Sequence, residues 1–520
     1  MKRLPLIAFL CAWGGLTVRA ELTLPPLFTD NLVVQRDAPV PVWGQAVPGR
    51  RVTVHFAGQS KAAQADTAGH WRVTLDPLAA STEPRALEIT EAVEREQSLT
   101  AAWRATNVLV GEVWLAAGQS NMEFPLARET HAATEVPAAT NPLVRLCNFT
   151  YAGKSAGGQL YESAARSNLV AEHFFTGHWE PGSPASARPF SAVAYYFGRA
   201  LQSDLHVPLG IIHCAVGGSP TEAWVGRDAL ARSPELAGMV RGDWLTNRLL
   251  DSWCRQRAGE NLGLAPLVNT GPRDDLGWNH PFKPSFLWSA GPARFAPFAL
   301  RGVLWYQGES NSLEADRVRQ HEILFPLLVQ EWRRAWDRPL PWLVCQLSSI
   351  RTNHYQSAGW PEFRDQQRRL AASVPDTGLV VTSDLGARDD VHPREKREVG
   401  RRLALVARRM VYGEPVESEG PAPAKARAEA DSVTLGFLHA TGLAPADGPT
   451  LRGFEIAGAD GVFHPATATV TGAQIHLTAP GVPMPRRVRY GWQPFSEGNL
   501  VNAAGLPAST FAISVTQPAP

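Results

Sequence analysis

The chain has 520 residues, of which 44% are hydrophobic and 19% are charged, and this balance excludes a disordered protein. Lys and Arg number 50 against 49 Asp and Glu, so the net charge of +1 gives no electrostatic case for nucleic acid or an anionic membrane as a partner. A chain of this length exceeds one hydrophobic core, and we expect two or three domains.

The N-terminus has the pattern of a secretory signal peptide. A basic start at Lys2 and Arg3 is followed by an apolar stretch and by small residues up to Ala20. The apolar stretch is too short to span a membrane. We therefore predict that residues 1–20 are a signal peptide. The mature protein is then expected to be exported, periplasmic or extracellular, and not inserted in a membrane.

Three regions follow, and they differ in hydrophobic pattern. Residues 21–105 contain short apolar runs between Gly and Pro turns, which predicts a small β-sandwich. Residues 106–413 alternate apolar runs with helical periodicity, and this predicts an α/β catalytic domain. Residues 421–426 are rich in Pro and Ala and are interpreted as a linker, and residues 425–520 are again β-like, a second β domain.

The middle region predicts a doubly wound parallel sheet. Continuous apolar runs between amphipathic segments indicate strands that helices cover on both faces. Ligands of such sheets bind beyond the carboxyl ends of the strands. The predicted strands lie at 113–117, 209–216, 302–306, 342–345 and 378–382, and the predicted helices at 191–205, 325–336 and 399–410.

Four polar segments follow predicted strands of this sheet. They are Gly-Gln-Ser-Asn at 118–121, Gly-Gly-Ser-Pro at 217–220, Gln-Gly-Glu-Ser-Asn at 307–311 and Asp-Asp-Val-His-Pro at 389–393. A parallel sheet brings all four to one edge. Together they supply a nucleophile, a base, a group that orients the base and donors for an oxyanion, which is what serine hydrolysis of an ester needs.

Ser120 is the candidate nucleophile and His392 the candidate base. Histidine has the pKa suited to accept the serine proton and return it to the leaving alcohol. The nucleophile elbow of α/β-hydrolases requires Gly-x-Ser-x-Gly, whereas Met122 occupies the last position here and Pro125 soon interrupts any helix. That fold is therefore disfavoured.

The acid that orients His392 is open at this stage. Asp389 lies three residues before the histidine, and Asp390 and Asp384 are alternatives. For Asp389 and Asp390, capping of the following helix is an equally good interpretation.

Candidate oxyanion donors come from the second and third segments. Gly217 or Gly218 could present a backbone N–H, and Asn311 and Gln307 could add side-chain amides. Glu309 is either an acceptor for a sugar hydroxyl or a structural hydrogen-bond hub, and we favour the hub.

The four segments resemble those of the sialate O-acetylesterase family, a branch of the SGNH hydrolases. The resemblance extends to residues 32–36 and 42–44 near the start and to 488–492 and 505–508 near the end. It implies a flavodoxin-like catalytic domain between two β regions, no metal or other cofactor, and hydrolysis of acetyl esters on sugars by Ser120 and His392. It also implies Asp389 as the acid, although the acid of this family is less constant and a Ser–His dyad stays open.

We therefore predict a carbohydrate O-acetylesterase whose partner is an acetylated sugar. Acetylated sialic acid is the first candidate substrate, and acetylated plant or algal polysaccharide such as xylan is the alternative. Sialic acid carries a carboxylate, so its pocket should offer an arginine, which the sequence alone does not place. The rivals are a non-catalytic carbohydrate-binding protein and a lipid esterase.

Four cysteines follow the signal peptide. They are widely spaced and form no Cys-x-x-Cys, which argues against a zinc site. Cys214 and Cys345 lie in apolar runs and are expected to be buried thiols, while disulfides stay possible in an oxidising compartment.

Overall fold

The computed structural model describes residues 22–92, 99–263, 271–352 and 355–517. The predicted signal peptide at 1–20 lies outside these residues. Within the described ranges, no helix combines the length and hydrophobicity that a membrane span requires. The fold is mixed α/β, with a central mixed sheet that contains parallel strands and with several small antiparallel sheets.

The N-terminal region consists of strands and turns in its described part. In chain order its strands are β1 (Val33–Gln35), β2 (Val40–Gln45), β3 (Arg51–Phe56), β4 (Gln59–Gln64), β5 (His70–Leu75), β6 (Ser81–Ala92) and β7 (Leu99–Gly118). Burial alternates along β3 and β5, as expected for strands with one face toward a core. β2 pairs with β5, and β3 pairs with both β4 and β6.

Strand β7 joins this region to the central sheet. Its first half pairs with β6, and its second half pairs with the parallel strands of the centre. Glu112 lies in β7 with no exposed surface and accepts hydrogen bonds from Arg36 at 2.5 Å and from Arg301 at 2.6 and 3.0 Å. The boundary drawn at 105/106 therefore falls inside one continuous strand.

The described residues of the central region contain ten further strands. These are β8 (Asn141–Asn148), β9 (Thr150–Tyr151), β10 (Phe175–Thr176), β11 (Trp179–Gly182), β12 (Leu209–Ala215), β13 (Arg273–Asp274), β14 (Gly277–Trp278), β15 (Gly302–Tyr306), β16 (Trp342–Cys345) and β17 (Thr377–Val380).

Helices separate these strands. They are α1 (Ser120–Glu123), α2 (Ala132–Glu135), α3 (Ser163–Ser167), α4 (Pro184–Ala187), α5 (Ala192–Leu205), α6 (Arg227–Arg232), α7 (Ser252–Leu262), α8 (Phe286–Ala290), α9 (Pro292–Phe295), α10 (Ala315–Trp336), α11 (Trp360–Ser373) and α12 (Arg397–Met410). Short 3-10 turns lie at Leu126–Arg128, Thr221–Trp224, Ala237–Val240, Glu309–Asn311 and Ser383–Leu385.

The central sheet has the order β11-β8-β12-β7-β15-β16-β17. Within this sheet, β8, β12, β7, β15, β16 and β17 are parallel, and the five predicted strands are confirmed among them. The prediction of a purely parallel sheet was wrong, because β11 pairs antiparallel with β8. β11 carries Pro181, which lacks an N–H and is tolerated at a sheet edge.

Helices cover both faces of the sheet. Val113, Leu115 and Ala117 of β7 belong to one apolar cluster, which α10 completes with residues such as Leu328. Trp114 and Ala116, on the opposite face of β7, belong to a second cluster, to which α5 and α12 contribute. Burial on both faces explains the continuous apolar run along β7. The Ser191 hydroxyl caps α5 by accepting the Ala194 N–H at 3.1 Å.

The C-terminal region is built from β18 (Ala422–Glu429), β19 (Ser432–Leu438), β20 (Ala444–Pro445), β21 (Phe454–Ala457), β22 (Phe463–Pro465), β23 (Thr467–Thr471), β24 (Gln474–Thr478), β25 (Arg487–Tyr490), β26 (Leu500–Val501) and β27 (Phe511–Ser514). The interpretation of residues 421–426 as a linker was wrong, since most of them begin β18. That strand lies at the end of its four-stranded sheet, and its register shifts between Pro423 and Lys425. An edge position with a bulge is where a strand accommodates proline.

Candidate active site

The four polar segments meet at the carboxyl ends of the parallel strands. The side-chain oxygen of Gln119, after β7, accepts the N–H groups of Gly308 and Ser310, after β15, at 3.3 and 3.4 Å. The Ser310 hydroxyl donates to the Gly218 carbonyl oxygen, after β12, at 2.9 Å. Asn121 Nδ2 donates to the Val391 carbonyl oxygen, in the segment after β17, at 3.0 Å. The predicted convergence of the four segments is thus realised by direct hydrogen bonds.

Ser120 and His392 line one pocket of about 810 Å³. Ser120 is the first residue of α1 and is half-buried, and Gln119 alone separates it from the last residue of β7. β7 ends at Gly118, whose φ of 134° places its backbone where a side chain is disfavoured. A Cβ there would come within 2.2 Å of the Tyr306 carbonyl oxygen. Glycine is therefore required where the chain turns from the strand into the serine.

The His392 ring is half-buried in the wall of this pocket. It stacks on Phe124 with ring centroids 6.4 Å apart. Burial lowers the pKa of His392 below its usual 6.5, and the nearby cations Lys396 and Arg128 act in the same direction, while Asp390 opposes them. The imidazole therefore stays neutral, and able to accept a proton, to a lower pH than an ordinary histidine.

The three candidate acids lie in different surroundings. Asp390 Oδ1 lies 3.8 Å from His392 Nδ1 and accepts the His392 backbone N–H at 2.8 Å. Asp389 contacts Arg351 at 3.8 Å. Asp384 pairs with both terminal nitrogens of Arg402 at 2.8 and 2.6 Å. Of the three, Asp390 alone lies within 4 Å of the imidazole, and at 3.8 Å it makes no hydrogen bond to the ring.

The backbone donors beside Ser120 are not equivalent. The Gly217 N–H donates to Glu123 Oε2 at 2.7 Å, so another acceptor already occupies it. Among the described residues, the backbone N–H groups of Ser120 and Gly218 have no acceptor. Neither of these two N–H groups is therefore engaged by another part of the described protein.

The amides of Gln307 and Asn311 belong to a buried network. Gln307 Nε2 donates to Asn311 Oδ1 at 2.6 Å and to the Ser219 carbonyl oxygen at 3.3 Å. Asn311 Nδ2 donates to Glu222 Oε2 at 3.1 Å, and both side chains have no exposed surface. The structure therefore places these predicted donors beneath the pocket rather than in its wall.

Glu309 also lies below the pocket, in a cluster with Asn121 and Lys396. Asn121 Nδ2 donates to Glu309 Oε1 at 2.5 Å, and Lys396 Nζ donates to Asn121 Oδ1 at 2.6 Å. Burial raises the pKa of Glu309 and lowers that of Lys396 to about 8. The Lys396 ammonium also faces the rings of Phe124 and Tyr306. This position agrees with a hydrogen-bond hub.

Several charged residues of the pocket were missed from the sequence. Arg128, Lys154 and Arg188 line it together with Glu123, whose Oε1 lies 3.2 Å from Lys154 Nζ. Glu123 ends the same helix that begins at Ser120, and this proximity in sequence is a signal that could have found it. Arg128 lies in the 3-10 turn that follows the first segment, whereas Lys154 and Arg188 lie outside the four segments, and no sequence pattern marks any of the three.

The four cysteines after residue 21 are buried and free, as expected for Cys214 and Cys345. Burial raises the pKa of the Cys147, Cys214 and Cys254 thiols well above the usual value. Within the described residues, no three His, Cys, Asp or Glu side chains are arranged to hold a metal ion.

In sequence and in structure, the chain is similar to carbohydrate esterases. A sequence profile described as carbohydrate esterase, sialic acid-specific acetylesterase, matches residues 242–409, which include the third segment and His392. A carbohydrate acetylesterase from Xanthomonas citri, of known crystal structure, is 31% identical, and the match covers 95% of this chain and 99% of that one with a TM-score of 0.75.

The chain is also similar, at lower identity, to curated sialate O-acetylesterases. Sialate O-acetylesterase of Homo sapiens is 28% identical over 455 residues, which are 81% of this chain and 77% of that protein. Sialate O-acetylesterase of Mus musculus is 28% identical over 443 residues, which are 79% of this chain and 78% of that protein.

Proposed function

The chain belongs to the sialic acid-specific acetylesterase family of carbohydrate esterases, and on that premise we propose that it removes O-acetyl groups from sugars by a serine acyl-enzyme mechanism. The observation that carries this proposal is that Ser120 and His392 line the same pocket. A nucleophile and a base in one pocket are the minimum that ester hydrolysis by serine needs.

In the proposed reaction, Ser120 Oγ attacks the acetyl carbonyl carbon while His392 accepts the hydroxyl proton. The carbonyl oxygen becomes an oxyanion, and the N–H groups of Ser120 and Gly218 stabilise it. The C–O bond to the sugar breaks, and His392 returns its proton to the sugar hydroxyl. Water then attacks the acetyl-enzyme with His392 again as base, and this releases acetate and restores Ser120.

The order of the strands supports an SGNH-type catalytic domain. Five of the six parallel strands, which are β7, β12, β15, β16 and β17 in chain order, lie side by side as 2-1-3-4-5, and the sixth, β8, is added beyond β12. This is the order of flavodoxin-like sheets. The Ser-Asn-Met continuation after Gly118 also differs from the nucleophile elbow of α/β-hydrolases.

We propose acetylated sialic acid as the preferred substrate. Arg128 and Arg188 both line the pocket, and among the described residues neither has a carboxylate within 4 Å. A guanidinium without a protein carboxylate beside it suits the carboxylate of an acidic sugar, since the two groups form paired hydrogen bonds. Because residues 1–20 have the pattern of a signal peptide, we also propose that the protein acts outside the cytoplasm.

The esterase proposal is tested by Ser120→Ala. We expect this variant to lose release of p-nitrophenol from p-nitrophenyl acetate while its thermal unfolding stays unchanged, because a half-buried hydroxyl is exchanged for hydrogen at little structural cost. Ser81→Ala, which alters a half-buried serine of the N-terminal region, serves as control. Substantial activity in Ser120→Ala would refute the assignment of the nucleophile.

The substrate is tested with acetylated sialic acid and acetylated xylan in parallel. Arg188→Gln should raise KM for the acidic sugar by about tenfold, the value of one charge-assisted hydrogen bond, and should leave acetylated xylan unaffected. Arg241→Gln, an exposed arginine outside the pocket, is the matched control. Equal or faster deacetylation of xylan by the unchanged protein would favour the polysaccharide alternative.

A further inference from the structure

A second pocket, of about 640 Å³, lies where the C-terminal region meets the catalytic region. The C-terminal region contributes the loop after β25, with Trp492, Phe495 and Glu497, together with Arg452. The catalytic region contributes Arg351 and Arg388. None of these residues takes part in the proposed reaction, and the pocket is separate from the one that Ser120 lines.

A buried arginine fixes the loop that carries Trp492. Arg364 of α11 has no exposed surface and donates to the carbonyl oxygens of Gly491 at 3.1 Å, of Pro494 at 3.1 Å, and of Gln493. A buried charge is costly unless hydrogen bonds satisfy it, so these carbonyls are held firmly to the guanidinium. Trp492 is therefore presented on a rigid backbone.

The Trp492 side chain is half-buried, and its ring stacks on no other ring of the described residues. Large aromatic side chains left open in a pocket are available to a ligand. The surrounding charges are paired: Arg388 with Glu497 at 3.2 Å, and Arg351 with Asp389 at 3.8 Å. The rim thus offers both donors and acceptors without a large net charge.

We propose that this pocket binds a neutral pyranose ring of an oligosaccharide, stacked on Trp492, with its hydroxyls hydrogen-bonded to the Arg388–Glu497 pair. A pyranose has an apolar C–H face that matches an indole and a rim of hydroxyls that both donate and accept. Paired arginines favour this ligand over an anion, because their charge is already neutralised. The site therefore differs in character from the catalytic pocket, where Arg128 and Arg188 are unpaired.

The two pockets border the same segment of chain. Arg388 lines one and His392 lines the other, and four residues separate them, which limits the distance between their Cα atoms to about 14 Å. An oligosaccharide held at Trp492 would therefore lie close to the reaction site. This binding function goes beyond the proposed esterase and stands on its own residues.

The test is isothermal titration calorimetry of the full-length protein with unacetylated xylohexaose, cellohexaose and mannohexaose, each in a separate titration. We expect at least one hexasaccharide to bind with a Kd of about 1 mM or tighter. Trp492→Ala should weaken that binding by about tenfold or more, and Trp492→Phe should weaken it less, because phenylalanine keeps part of the stacking surface. Trp278→Ala removes a half-buried tryptophan elsewhere and is the control.

Absence of binding for all three hexasaccharides at about 10 mM would overturn the proposal. So would unchanged binding in a folded Trp492→Ala variant. Should that variant fail to fold, Glu497→Gln tests the same site at an exposed position. If both Glu497→Gln and Trp492→Phe keep the hexasaccharide affinity of the unchanged protein, the site is refuted. Turnover of p-nitrophenyl acetate by the unchanged protein tests the esterase separately.

Discussion

Asn121 Nδ2 donates a hydrogen bond to the Val391 carbonyl oxygen at 3.0 Å, and this bond joins the residue after Ser120 to the residue before His392. The two strands that precede these residues, β7 and β17, are not neighbours in the sheet, since β15 and β16 lie between them. The relative placement of nucleophile and base therefore depends on side-chain contacts above the sheet, and the hydrogen bond of Asn121 is one of them.

We expect Asn121→Ala to lower kcat for p-nitrophenyl acetate by about tenfold to a hundredfold, with KM little changed, because a small displacement of the base is costly to a positioned reaction. Stability should also fall by about 1–3 kcal/mol, since Glu309 and Lys396 each lose a buried partner. Steady-state kinetics and urea unfolding measure the two effects.

The matched control for Asn121 is Asn141→Ala, which removes a partly buried hydrogen bond to Gln202 of 2.9 Å away from the pocket. It should change stability modestly and leave kcat unaltered. If Asn121→Ala keeps full kcat, the Val391 contact does not position His392.

Lys396 gives a prediction about stability and pH. Its pKa in the folded protein is about 8, against 10.5 when unfolded, because burial disfavours the charge. Between these values the unfolded chain binds more protons, so Lys396 makes stability rise with pH from about 8 to 10.5. We expect Lys396→Met to abolish this rise relative to the unchanged protein, and urea unfolding across that pH range would show it.

At neutral pH, Lys396→Met removes the penalty of burying a charge, but Asn121 Oδ1 loses a buried donor and Glu309 loses its nearby cation, so we expect a small net loss of about 1 kcal/mol in the free energy of unfolding. The double variant Lys396→Met with Glu309→Gln should recover part of this loss, because the remaining carboxyl is neutral. A double variant less stable than Lys396→Met would contradict a charge interaction between the two side chains.

The sequence predicts the position of Ser120 well, because the apolar run of β7 ends abruptly at Gly118 and sheet geometry brings strand ends together. It does not predict which backbone donors are free. Whether the Gly217 N–H is available depends on Glu123, which reaches it through space from another segment. For the same reason Gln307 and Asn311 looked like donors, although their amides bind each other.

The sequence predicted the strands of the central sheet that are uniformly apolar, and it missed strands that contain polar or charged residues. β8 contains Arg145, whose guanidinium donates to the carbonyl oxygens of Pro142 and Asn107. Because a charged residue interrupts its apolar run, the sequence did not predict this strand of the central sheet. The choice between Asp389 and Asp390 was equally beyond the sequence, since both lie in an irregular loop where only the backbone path decides which carboxylate faces the imidazole.

Lys154 and Glu123 lead to a prediction about charge near the oxyanion. Glu123 holds a carboxylate beside Ser120, and Lys154 compensates it at 3.2 Å. We expect Lys154→Met to lower kcat by about fivefold, because an uncompensated anion opposes the negative charge of the tetrahedral intermediate and a half-buried pair of this kind is worth about 1 kcal/mol. In a Glu123→Gln background the same change should have no effect on kcat.

Lys61→Met is a close control for Lys154, since both lysines have 36% side-chain exposure and Lys61 also pairs with a carboxylate, that of Asp76. It should leave kcat unchanged. An equal loss of kcat for Lys154→Met in both backgrounds would show that Lys154 acts on the substrate and not through Glu123.

The acidic limb of the pH profile should report on His392. The base acts when neutral, so kcat/KM rises as pH rises through the pKa of His392, and burial and nearby cations hold that pKa below 6.5. Arg128→Gln removes a cation, raises the pKa and should move the limb to higher pH. Asp390→Asn removes the carboxylate that raises the pKa and should move the limb to lower pH. Asp389→Asn is the control and should leave the limb in place. Shifts of Arg128→Gln and Asp390→Asn in the same direction would refute this electrostatic assignment of the base.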